Sequence, residues 1–165
     1  MKKLLLVISL AVIVCIGTAF ADHPDGFGIG IVGGGGLHFG DGGYSHAGLS
    51  LKIPDFPVYW GIYLDGNVKN YLALTITGDY YLLDNVLVPE IDLHWYLGVG
   101  VGAFLGLGDP FMTGAAARIP IGISWQPLPL LEIFLQVVPS IGFFVVPDFY
   151  NNSSWGGELG IRLWF

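Results

Sequence analysis

Charge is what this sequence has least of. Only 12% of its 165 residues are Asp, Glu, Lys or Arg, while 53% are hydrophobic. A soluble domain carries charge on about a quarter to a third of its surface, so the solvent facing most of this chain is expected to be lipid. Positive charge is scarcer still, six Lys and Arg against thirteen Asp and Glu, and two of the six, Lys2 and Lys3, belong to the first few residues. Residues 22–165 keep only Lys52, Lys69, Arg118 and Arg162 against all thirteen acids, a net charge of −9. That balance excludes nucleic acid as a partner. The single cysteine, Cys15, also lies before residue 22, so the rest of the chain has no disulfide or thiol chemistry.

What is present begins with an export signal. Lys2 and Lys3 precede an apolar run from Leu4 to Ile16, and Ala19-Phe20-Ala21 reads as a small-x-small cleavage site. The spacing predicts a signal peptide over residues 1–21 and one domain over residues 22–165. A retained membrane helix is disfavoured by the shortness of the apolar run. Lipid attachment at Cys15 is disfavoured by the branched Val14 before it.

The stretch EIDLHWYLGVGVGAFL, Glu90 to Leu105, alternates at every position. Ile91, Leu93, Trp95, Leu97, Val99, Val101, Ala103 and Leu105 share one parity. Glu90, Asp92, His94, Tyr96, three glycines and Phe104 share the other. A period of two means a β-strand, and this one exceeds the usual globular length of about five or six residues. Bilayer-crossing strands need about nine to eleven, apolar toward lipid and small or polar toward the lumen.

Seven further segments repeat the pattern. They run from Phe27 to Phe39, Tyr44 to Ile53, Val58 to Asp65, Tyr71 to Tyr81, Thr113 to Gln126, from Leu130 onward, and from Trp155 to Phe165. Turns are expected at 40–43, at Pro54 to Pro57, at 65–70, at Asp84-Asn85, at 106–110 and at Pro127 to Pro129, with a last, aromatic loop over 143–154. The fold class that follows is all-β, a closed antiparallel eight-stranded transmembrane barrel preceded by a cleaved signal peptide. Leu128 to Val146 is apolar enough to suggest a membrane helix, but it contains Pro139, and the period-two sorting of Glu132 and Gln136 favours strand.

The last ten residues, GGELGIRLWF, alternate to a terminal Phe165. This ending resembles the assembly signal of bacterial outer-membrane barrels. The whole chain resembles the eight-stranded transmembrane domain of outer membrane protein A. It is more similar to a spirochaetal family of small outer-membrane barrels, on Arg118-Ile119-Pro120-Ile121-Gly122 with Ser124-Trp125, Leu131-Glu132-Ile133-Phe134 with Val138-Pro139, and Gly160-Ile161-Arg162 with Trp164-Phe165. The resemblance covers the last third of the chain specifically and the rest in pattern only. It implies insertion by the barrel assembly machinery into outer-membrane lipid, with both termini in the periplasm, and carries over no catalytic residue.

Eight strands enclose a lumen just wide enough for side chains to fill. Lys52, Asp79, Glu90, Asp92, His94, Arg118, Glu132, Glu158 and Arg162 fall on lumen parity and are expected to form a charge network, because a lone buried charge costs several kcal/mol. Antiparallel register gathers Lys52, Asp79, Glu90, Asp92, His94, Glu132 and Arg162 in the periplasmic half, with Glu132 one diagonal step from Arg162. Three carboxylates beside His94 offer oxygen and nitrogen donors for a divalent metal; the alternative is a salt-bridged plug, and no metal or other cofactor is assigned. Neighbours on a strand point to opposite faces, so Ser45 and His46 do not form a nucleophile and base. The leading expectation is a non-enzymatic, monomeric outer-membrane protein serving envelope integrity or surface interaction. A receptor or adhesin acting through loop 143–154 on an unknown surface ligand stands second, and a lipid-modifying enzyme or a narrow channel follows.

Overall fold

The computed structural model describes residues 24, 26–39, 42–67, 72–108, 111–146, 148–151 and 153–165. The expected cleavage after Ala21 lies outside the described residues. Ten strands follow in order: β1 (Gly28–His38), β2 (Gly42–Lys52), β3 (Tyr59–Asn67), β4 (Leu72–Val88), β5 (Leu93–Gly106), β6 (Met112–Arg118), β7 (Ile121–Leu128), β8 (Leu131–Val146), β9 (Tyr150–Asn151) and β10 (Ser154–Trp164). All pairings are antiparallel, and β10 pairs with β1 from Gly28↔Trp164 to His38↔Ser154, which closes the sheet into a ring. Closure leaves no open strand edge, a condition for any sheet in hydrocarbon.

β6 and β7 are one stave. Both lie between β5 and β8, separated where Pro120 lacks an N–H for the ladder. The Ile119 amide still donates to Pro139 O at 3.0 Å, and Gly98 N donates to Pro120 O at 2.8 Å, so the alignment survives the interruption. Counted so, and with β9 set aside as an appendage of β8, the ring has eight staves.

Period-two sequence becomes two-faced burial. In β10 buried and exposed residues alternate without exception, with Leu159, Ile161 and Leu163 outward and Glu158, Arg162 and Trp164 inward. The outward side chains of all staves form an apolar belt. Trp155, Phe39 and Phe143 lie at one end of it and Phe27, Trp125 and Phe165 at the other. From Trp155 to Phe165 a strand tilted about 40° rises about 25 Å, the height of an outer-membrane apolar band. No helix among the described residues is long and apolar enough to cross a membrane; crossing falls to the strands.

Four sequence expectations give way here. The turn assigned to Asp84-Asn85 is strand: β4 continues to Val88 after a bulge between Tyr81 and Leu83, and Asp84 is buried. The reversal lies at the 3₁₀ turn Pro89–Ile91, closed by Asp92 in the left-handed region at φ 55°, a conformation that Asp tolerates better than most residues. Glu90 and Asp92 therefore belong to a turn, not to the lumen. β8 runs to Val146, where the last loop was expected to begin at Phe143, and β9 folds back on it through Phe143↔Asn151 and Phe144↔Tyr150. Finally, Arg162 stands directly opposite Glu132, not one diagonal step away.

Glycines on the lumen side let staves and side chains close in. A Cβ on Gly30 would collide with Ile161 O and stand 2.7 Å from Arg162 Cα, both backbone atoms of β10. Gly30→Ala must push apart the seam that closes the ring, and is expected to cost about 1–3 kcal/mol, as overpacking does. Urea unfolding in lipid vesicles measures it; an unchanged midpoint would mean the β1–β10 seam is looser than it stands here.

Candidate functional site

The inward residues are stacked in two polar layers. The first lies toward the end that carries Gly26 and Phe165, here termed the terminal end. Arg162 donates from Nη1 to Glu132 Oε2 at 2.6 Å and from Nη2 to Ser50 Oγ at 2.9 Å, and Trp164 Nε1 donates to the same Glu132 oxygen at 2.9 Å. The guanidinium also lies 4.8 Å from the ring centroids of Tyr59 and Phe134. Both charged residues are 1% exposed. A buried ion pair offsets its desolvation only with good geometry and further hydrogen bonds, and both are present.

The second layer is centred on Arg118, whose Nε is 3.0 Å from Asp79 Oδ1 and whose Nη2 donates to Glu158 Oε1 at 3.1 Å. Glu158 Oε2 accepts from Gln136 Nε2 at 2.6 Å and from Tyr63 Oη at 3.2 Å. The layers are joined by Tyr96, buried completely, whose hydroxyl donates to Gln136 Oε1 at 2.8 Å. Tyr59, Tyr81 and Tyr96 stack in a row, with centroids 4.2 and 4.3 Å apart. A pocket of about 10 Å³ lies between the layers, among Tyr59, Tyr81, Phe134, Gln136 and Arg162, with room for one water at most.

Six of the expected lumen charges thus lie inside the ring: Lys52, Asp79, Arg118, Glu132, Glu158 and Arg162. Arg162 with Glu132, and Arg118 with Asp79 and Glu158, come together. Lys52 points to the terminal end, donates to Ile53 O at 3.1 Å and lies over the Tyr59 ring. His94 is buried near the same end, with Nε2 2.8 Å from Asp92 Oδ1. Glu90 and Asp92 are exposed. The cluster of Asp79, Glu90, Asp92 and His94 therefore does not assemble, and among the described residues no three metal-ligating side chains converge. Phe165 is exposed at the end of the apolar belt, its backbone paired with that of Phe27 at 2.8 and 3.0 Å.

The period-two reading puts Ser50, Tyr59, Tyr63, Gln136 and Trp164 on the lumen side, but it passed over their part in the two layers. It also passed over a cavity of about 140 Å³ in the far half of the lumen, beyond the Arg118 layer. His38, Tyr44, His46, Tyr63 and Asp65 line one side of it, and Phe104, Phe144 and Ser140 the other.

No family model matches this sequence, and no curated protein does. Among solved structures, the chain is similar to Neisserial surface protein A at 14% identity and a TM-score of 0.54, over 86% of this chain and 98% of that one. It also aligns with the N-terminal β-barrel domain of Pseudomonas aeruginosa OprF (13% identity, TM-score 0.45, 84% and 97% covered) and with a de novo designed transmembrane β-barrel (16%, 0.47, 87% and 98%). At the identity and TM-score of the first of these, what is shared is the fold, a closed eight-stranded transmembrane β-barrel.

Proposed function

We propose that this chain is an integral protein of the bacterial outer membrane, non-enzymatic, closed across its lumen by its own side chains, and serving envelope integrity or surface interaction. The observation that carries it is the combination of a sealed ring, an apolar exterior and two hydrogen-bonded charge layers inside. The expected export signal supports the location. Both termini are assigned to the periplasm, which puts the far-end loops outside the cell. Ser45 faces outward and His46 inward, which supports the non-enzymatic reading.

In planar bilayers the purified protein is expected to give no sustained ion conductance, because the Arg162 and Arg118 layers with the tyrosine row between them leave no water-wide path. Reproducible protein-dependent openings would overturn the closed lumen. Fractionation of cells with the inner membrane would overturn the location.

A second reading has its own observation. Phe149 is 77% exposed at the tip beyond β8, with Phe143 and Tyr150 beside it, an apolar patch of the kind that marks a binding surface. Deleting residues 147–152 and measuring adhesion to partner surfaces separates this role from a purely structural one.

A further inference from the structure

The cavity beyond the Arg118 layer differs from the packed half beneath it. Tyr63 on β3 and Phe144 on β8 stand on opposite sides of the eight-stave ring. The rings are braced: His46 and Tyr63 pack at a steep angle with centroids 5.0 Å apart, and Phe104 and Phe144 do the same at 4.7 Å. Acid outweighs base here, since Asp65 and Glu158 line the cavity with Arg118, and Arg118 is already shared with Asp79. Asp79 and Glu158 thus share one guanidinium, and Asp65 stands apart from it, 3.8 Å from the His46 ring.

His46 is the second, independent observation. Its side chain is only 5% exposed, yet its two ring nitrogens stand 3.8 Å from Asp65 Oδ1 and Glu158 Oε1, beyond hydrogen-bond distance. The buried Nε2 has no hydrogen-bond partner, and neither has Asp65 Oδ2. Buried polar atoms left in this way call for an occupant.

We propose that this cavity binds one small organic ammonium ion, its alkyl groups against the aromatic rings and its charge answered by Asp65 and Glu158. Aromatic faces attract ammonium ions through the ring quadrupole, and carboxylates beside them add to that attraction. A cavity of about 150 Å³ accommodates benzene, which sets the ligand at about that size. An anion would meet the carboxylates and an Arg118 that is already engaged. A bare metal ion would lack a coordination set among the described residues. The inference goes beyond the envelope role and stands or falls separately from it.

The test is calorimetric titration of the full protein, extracted from membranes in detergent, with choline chloride and with its neutral isostere 3,3-dimethylbutan-1-ol. Choline is expected to bind one site per chain, at least about tenfold more tightly than the isostere. Asp65→Asn is expected to abolish most of that preference while leaving isostere binding unchanged. No saturable choline binding, equal affinities for the two compounds, or a preference untouched by Asp65→Asn would each overturn the proposal. Heat-modifiable gel mobility checks that the variant is folded; if it is not, the ratio of the two affinities in the parent decides alone.

Discussion

Arg162→Met is expected to destabilise the barrel by about 3–5 kcal/mol, the range for removing one partner of a buried ion pair. Glu132, 1% exposed, would keep the indole N–H of Trp164 but lose its counter-charge, and Tyr59 and Phe134 would lose the guanidinium between them. Adding Glu132→Gln removes the stranded charge while keeping an acceptor for Trp164 Nε1, so the double variant is expected to recover at least half of the loss. Urea unfolding of the parent, both single variants and the double variant in vesicles yields the coupling energy. Strictly additive losses would mean that Arg162 and Glu132 do not interact, in conflict with their 2.6 Å contact.

Arg118→Met is expected to cost a similar amount, about 3–5 kcal/mol, because two carboxylates lose one shared cation. The two are not equally dependent on it. Glu158 retains Gln136 Nε2 and Tyr63 Oη, whereas Asp79 Oδ1 has no hydrogen bond of good geometry and is held by charge alone. Against the Arg118→Met background, Asp79→Asn is therefore expected to restore more stability than Glu158→Gln. The same unfolding series reads the order, and the reverse order would place the main anchor of Arg118 on β10 and not on β4.

The alternating segments made most of the staves readable before any coordinates. Where reading failed, a non-local effect had overridden a local signal. Asp84-Asn85 has the composition of a turn, but pairing with Tyr96 and Trp95 of β5 carries the strand through it, and the bulge at Leu82 puts Asp84 indoors. Glu90 and Asp92 continue the β5 parity in sequence, yet Pro89 supplies no ladder N–H and the chain reverses there. Six charged members of the lumen, Lys52, Asp79, Arg118, Glu132, Glu158 and Arg162, were legible because a charge on an inward position demands a partner. The parity of Tyr96 and Gln136 was equally plain, but their partners were not, because a neutral inward residue makes no such demand until its neighbours are known.

Period, length and composition are properties of the chain taken a few residues at a time. They determined by themselves that this protein is built of membrane-length strands with an apolar outer face and a polar inner one. Which charge meets which was decided only by the tertiary structure: Arg162 with Glu132 and Ser50, Arg118 with Asp79 and Glu158, and the cavity left beyond them. Those contacts join residues as far apart in sequence as Ser50 and Arg162, so they depend on register and on closure of β10 against β1. A shift of one residue in register turns every side chain to the other face, and only the closed ring settles it.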